Sequence, residues 1–423
     1  MTERPVVFLH IGAMKTGTTY LQQVLIQNKA ALADHGYLFP GRTWADQVRA
    51  AHDVVGHHRE RGVRDRSEGA WSGVVAEILA HEGAASVVSV EFLSFAGRRP
   101  ARRVVEDLAG AEVHVVLTVR DTVEVLPGLW QTHCANGGTA SWHAFARSAR
   151  LGAGAGPATP LLGQGARLFR RALDVPRMLD VWGPVVPPER LHLVTVPPPG
   201  SERSMLWERF ASVLGLDPAV AVNPAKGHNP SLGYASADLM RRLNAELGRL
   251  PRESYNPTLK HYLAEEVLAA RASQEDRARL DAAGHAFAER CNRRTRAALE
   301  ASGGHVMGDL TDLPTTSARE APPPIDPPDE QALLEAATTA FEGLERLIAR
   351  RTRRVRTLAD DSRAASTGGQ DPRPGDGDEP SGGAEARARW ADATDPVEAA
   401  VADLAALSRS AIALRERISN LRR

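Results

Sequence analysis

Cysteine is nearly absent: Cys134 and Cys291 are the only two in 423 residues. So distant a pair offers neither metal-ligand spacing nor a disulfide framework, and such usage fits a reducing compartment. Excess charge of one sign is absent as well. The 52 basic residues are matched by 52 acidic ones, which excludes the global bias expected of a nucleic-acid-binding chain. No run of eighteen apolar residues occurs, so no membrane-spanning helix is expected. The opening MTERPVVFLHIG holds an apolar run too short for a signal peptide and has no small-residue cleavage site. These absences lead to the expectation of a cytoplasmic protein. What is present is 43% hydrophobic content, enough for a sizeable core.

Residues 6–12, VVFLHIG, form a short apolar run ending in glycine, the pattern of a buried parallel strand. TTYLQQVLIQNKAALADHG follows, with Leu21, Val24, Leu25 and Leu32 on one helical face and Gly36 at its end. The alternation continues with strands at 87–91 (VVSVE), 113–120 (VHVVLTVR) and 191–196 (LHLVTV). Helices are expected in RRPARRVVEDLAG, at 204–216 and through 231–249 and 258–301. This order predicts an α/β domain over 1–312, a P-loop-like parallel sheet flanked by helices, with a helical and disordered C-terminal extension. A Gly/Pro-rich surface loop is expected at 151–165.

After residue 312 the composition changes. Residues 313–330 read as a Pro-rich linker, 331–360 as an amphipathic helix, 361–390 as a disordered linker and 391–423 as a heptad helix. Leu334, Ala337, Phe341, Leu344, Ile348, Arg351, Val355 and Leu358 recur at spacings of three and four, as do Val397, Ala400, Leu404, Leu407, Ala411, Leu414, Ile418 and Leu421. Three readings stand: a helical hairpin or self-association through these heptads; two amphipathic helices packed on the preceding domain; and, ranked third, contact of the basic run RLIARRTRRVR with anionic lipid.

The stretch GAMKTGTT, residues 12–19, spaces its glycines as a triphosphate-binding loop does. Thr18 occupies the place of the loop lysine in that pattern, and Lys15 lies inside the loop. Backbone N–H groups and a helix N-terminus suit an anion, and the hydroxyls of Thr16, Thr18 and Thr19 add donors. The position of Lys15 before the helix suits a single phosphate carrying a transferable group. It disfavours a triphosphate.

HIGAMKTGTTYLQ resembles the sulfotransferase family, most closely its bacterial members with H-I/V-G-x-x-K-T-G-T-T-x-L-Q near the N-terminus. VHVVLTVR places Arg120 where that family has a strand-terminal arginine; LPGLWQ at 126–131 and LHLVTVPPPG with LWERFASVLGLDP at 191–218 are similar too. The likeness spans residues 5–312 and leaves out the tail. It implies a metal-independent sulfuryl transfer from 3′-phosphoadenosine 5′-phosphosulfate (PAPS) to a hydroxyl or amine. The acceptor could be a carbohydrate, lipid or small natural product. It also implies that Lys15, Thr16, Gly17, Thr18 and Thr19 hold the 5′-phosphosulfate and that Arg120 holds the 3′-phosphate. Gly128 stands where members often carry a second, serine ligand to that phosphate. Ala225-Lys226-Gly227 half matches a later Arg-Lys-Gly element, so Lys226 and, more remotely, Ser231 are further candidates.

The chemistry needs in-line positioning, a cation at the leaving oxygen and a base at the acceptor. Lys15 is the expected cation. Glu91, at the end of the strand VVSVE, is the first candidate base, with His52 and His133 as rivals. His10 and His114 lie within strands and are expected to be structural. Trp130, which with Gln131 follows the arginine strand, is expected in the core rather than against the donor's adenine, and Arg98, Arg99, Arg102 and Arg103 on a solvated face. Two other classes remain open. One is a P-loop kinase or NTPase with a displaced lysine, using Glu91 or Asp121 on Mg²⁺; the other is a non-catalytic coiled-coil scaffold.

Overall fold

The computed structural model describes residues 4–56, 66–154, 161–223, 231–316, 323, 325–367 and 382–422. The expected loop residues 155–160, Lys226, and parts of both C-terminal linkers lie outside the described residues. The chain divides into two compact units. The first comprises Met1–Leu129, Phe145–Asn229 and Leu280–Pro323; the second comprises Trp130–Ala144, Pro230–Arg279 and Pro324–Arg423. The span 1–312, expected as one α/β domain, is therefore shared between them.

The first unit is built on a six-stranded, all-parallel sheet: β1 Val6–Gly12, β2 Tyr37–Leu38, β3 Ala85–Ser89, β4 Glu112–Val119, β5 Leu191–Thr195 and β6 His305–Met307. Its spatial order is β2-β3-β1-β4-β5-β6, so β1 lies between β3 and β4. Strand alternation divides the core. Val7, Leu9 and Ile11 pack on one face with Trp71, Ile78, Val104 and Trp182 from helices there. Phe8 points to the other, with Leu21, Leu25 and Phe210. Both faces are covered, as a parallel sheet requires.

Local departures have local causes. The helix expected from Thr18 to Gly36 is two helices, Thr18–Gln27 and Lys29–Asp34. The buried Asn28 breaks it: its amide donates to the carbonyls of Val24 and Asn223, both at 2.8 Å, and its Oδ1 accepts from Asn223 N. Strand β3 ends at Ser89, two residues before Glu91, and Glu91 opens the 3₁₀ turn Glu91–Phe95.

In the second unit, Glu330–Thr367 and Pro396–Leu421 are helices that pack on each other and on Tyr234–Leu247. The first runs seven residues past its expected end at 360, into the span read as a disordered linker, and Gly382–Ala391 in that span is helical too. The buried stripe of Glu330–Thr367 includes Leu333, Ala336, Ala340 and Leu347 besides Ala337, Phe341 and Leu344. That is wider than a two-helix seam, because the helix has more than one neighbour. Arg351 sits buried in the stripe, its guanidinium donating to Thr258 Oγ1 (2.9 Å) and to the carbonyls of Ala411 (2.6 Å) and Pro257 (3.4 Å). Trp130 is fully buried here, against Trp142 and Tyr234.

Candidate functional site

The anion loop leaves the carboxyl end of β1, the edge where open α/β sheets place ligands. Pairing with β4 slips by one residue between His10 and Gly12. The backbone then passes through left-handed geometry at Gly12 (φ +87°), Lys15 (φ +63°) and Gly17 (φ +81°). Among the described residues Lys15 is the only non-glycine with positive φ, a conformation that needs support from its surroundings. Gly12 is required twice over: besides its φ, a Cβ there would lie 2.8 Å from Cβ of Glu91. A Cβ on Gly17 would lie 2.4 Å from Cδ2 of Leu206.

The loop is pinned by Ala13 N–H donating to Thr118 O (2.9 Å) and Met14 N–H donating to Ala172 O (3.2 Å). The N–H groups of Thr16, Gly17 and Thr18, at the start of the helix Thr18–Gln27, have no acceptor among the described residues. They are the donors an oxyanion would take. Thr16 differs from expectation. Its side chain is buried and its hydroxyl turns inward, donating to Ala13 O at 2.6 Å and meeting Thr118 Oγ1 at 2.6 Å. Only its backbone can serve a ligand. Thr18 is buried and Thr19 partly exposed.

Glu91 stands two residues past the end of the neighbouring strand β3, against Gly12. Its carboxylate is held by Gln22, whose amide donates to Oε2 at 2.8 Å and to Ser89 O at 3.2 Å. Gln22 is 6% exposed, so this clasp from the first helix is sheltered from water. Gln22 was not among the site residues expected from sequence, although it is the final Q of the TTYLQ stretch. His52 stacks on Phe92 in the turn that Glu91 opens, ring centroids 4.9 Å apart. His133 belongs to the second unit, against Gly138, as does Ser231.

Arg120 follows β4, on the other side of β1 from Glu91. It lines a cavity of about 100 Å³ with Asp121, Glu124, Pro197 and Thr311. Its Nη2 lies 3.5 Å from Glu124 Oε2, one turn along the helix Thr122–Ala135, while its Nε is buried without a partner. Asp121 caps that helix: its Oδ1 accepts from Val123 N–H (3.0 Å) and Asn292 Nδ2 (2.7 Å). That structural duty accounts for an acid the triphosphate reading would place on Mg²⁺. A Cβ at Gly128 would rest 3.6 Å from Cδ of Lys15, so this position faces the lysine stem.

The structure thus gathers Glu91, the Lys15 loop and Arg120 on one edge of three adjacent strands, β3-β1-β4. Arg98, Arg99, Arg102 and Arg103 are exposed, and His10 is buried. Among the described residues no helix is long and apolar enough to cross a membrane. Comparison with protein-family models, with curated proteins and with solved structures finds no match.

Proposed function

We propose that the protein is a sulfotransferase with a P-loop-like donor site, moving a sulfuryl group from PAPS to the hydroxyl or amine of a carbohydrate, lipid or small natural product. The observation that carries the reading is the left-handed Lys15 between Gly12 and Gly17 at the end of β1. A lysine placed there serves the mouth of the loop, and Thr18 occupies the position a triphosphate site gives to lysine. The N–H groups of Thr16, Gly17 and Thr18, with Lys15 and Thr19, hold the 5′-phosphosulfate. Arg120, whose Nε has no partner, takes the 3′-phosphate.

Glu91 accepts the acceptor's proton as its oxygen or nitrogen bonds to sulfur. The bond from sulfur to the bridging phosphate oxygen breaks, and its electron pair stays on that oxygen, where the Lys15 ammonium balances the charge. Gln22 keeps the Glu91 carboxylate oriented by its hydrogen bond. Cys134 and Cys291 are free and buried, and burial raises both thiols, Cys291 to about 12; inert thiols suit a cytoplasmic enzyme.

Calorimetric titration with 3′-phosphoadenosine 5′-phosphate and with ATP–Mg tests the reading. The bisphosphate binds, and Lys15→Ala and Arg120→Ala each weaken it at least about tenfold. A preference for ATP–Mg overturns it. Given an acceptor, Glu91→Gln abolishes single-turnover transfer while donor binding persists.

A further inference from the structure

Beneath the loop, four side chains and one carbonyl form an unbroken hydrogen-bonded chain linking β3, β1, β4 and the loop itself. Its direction can be assigned. Thr16 Oγ1 donates to Ala13 O, and a carbonyl oxygen only accepts, so the Thr16 proton is committed there. Thr118 Oγ1 must then donate to Thr16 Oγ1 across 2.6 Å. With that proton placed, Thr118 accepts from His10 Nε2–H at 3.2 Å. Burial depresses the His10 pKa to about 3 and keeps the ring neutral. Its Nδ1 therefore carries a lone pair, and accepts from Ser89 Oγ at 2.7 Å. Ser89 is anchored in turn: its N–H donates to Gln47 Oε1, and its carbonyl accepts from Trp44 Nε1 and Gln22 Nε2. The edge of the His10 ring meets Phe210 at 5.0 Å between centroids.

We propose that His10 is a positioning residue for the anion loop: as the Nε2–H tautomer it sets the one-way chain Ser89–His10–Thr118–Thr16 that holds the Ala13 carbonyl, and so keeps the N–H groups of Thr16, Gly17 and Thr18 available to a phosphate-type oxyanion. The identity of that oxyanion rests on the sulfotransferase reading; the chain does not. An apolar residue at position 10 would leave Thr118 and Ser89 hydroxyls, both fully buried, without their partner. A buried hydroxyl in that condition re-pairs where it can, and the nearest alternative for Thr118 disturbs Thr16. Glutamine can reproduce the pattern, one N–H toward Thr118 and one lone pair toward Ser89.

Long-range proton–nitrogen spectra of the full chain read the tautomer directly. Nε2 is protonated and Nδ1 is not, without change from about pH 8 to about pH 5. An Nδ1–H tautomer, or titration in that window, overturns the proposal. In calorimetry, His10→Gln binds 3′-phosphoadenosine 5′-phosphate within about threefold of the parent, and His10→Leu loses at least about tenfold, or ~1.4 kcal/mol. Equal losses in both variants, or none in His10→Leu, overturn it. Should His10→Leu not fold, Thr118→Val breaks the same chain one link on, and Thr118→Ser restores it; a Thr118→Val that binds normally is equally fatal. If the parent binds no bisphosphate, the sulfotransferase reading fails alone. The tautomer then decides together with amide exchange at Ala13, whose N–H accelerates in His10→Leu and Thr118→Val but not in His10→Gln. Unchanged exchange in all three overturns the proposal.

Discussion

One histidine and a group of three lie on the same face of one sheet and are partnered differently. At the carboxyl edge, His10 is wholly buried, bonded only to hydroxyls, and joined to a chain that ends on a carbonyl. At the opposite edge, His114, His192 and His305 stack across β4, β5 and β6, with centroids 5.1 and 5.8 Å apart. There His114 Nε2 meets Glu112 Oε1 at 3.0 Å and His114 Nδ1 meets His192 Nε2 at 2.8 Å. Glu112 also pairs with Arg190 at 2.8 Å, and its carboxyl is held below the usual range by the His114 hydrogen bond first and by Arg190 after it. The lower group has partial exposure and a carboxylate within reach. Burial lowers the pKa of His192, to about 4, as it lowers that of His10, so what separates the two places is partnering: hydroxyls alone around His10, imidazoles and a carboxylate around the lower three. The same residue type supplies a link in a hydroxyl chain at one edge and a ring stack at the other.

The sharpest break at the upper edge is Gly12→Ala. A methyl would meet Glu91 Cβ at 2.8 Å at a left-handed φ, so the variant should lose about 2–4 kcal/mol of unfolding free energy in urea. Thr118→Val comes next. It strands the Thr16 and His10 groups and should cost about 1–3 kcal/mol, with helical content unchanged by circular dichroism.

The lower edge is read by pH. Burial, then His114 and His305, lower the His192 pKa to about 4. Below the ordinary histidine value of about 6.5 the unfolded chain takes up a proton that folded His192 refuses, so stability should fall as pH drops from about 6.5 to about 4. His192→Asn should flatten part of that decline in urea midpoints measured across the window. His10 contributes to the same acid slope, so an unaltered slope in His192→Asn would assign it to the upper edge. The smallest effect is expected of Gly128→Ser. Its Cβ has ordinary room beside Lys15, so stability should stay within about 0.5 kcal/mol, and bisphosphate affinity should hold or rise.

Much of this site was legible as chain order. The loop, Glu91 and Arg120 each follow an apolar run, and parallel strands bring such ends to one edge whatever their spatial order. Gln22 escaped notice because its partner lies 69 residues away, and no local pattern encodes that contact. The inward turn of Thr16 was hidden for the same reason, since Thr118 is 102 residues distant. His10 was expected to be structural, yet its partners on two other strands were not foreseeable.

Periodicity and glycine spacing, which depend on neighbours a few residues apart, set the alternation of strands and helices, the conformation available at Gly12 and Gly17, and the presence of two long C-terminal helices. Only the tertiary structure decided which residues share a unit, that Glu330–Thr367 buries a stripe wider than its heptads, that Arg351 is satisfied by Thr258 and the carbonyls of Ala411 and Pro257, and which way protons point beneath the loop. Each of those depends on contacts between distant segments, where burial makes an unpaired donor or acceptor costly enough to select one arrangement.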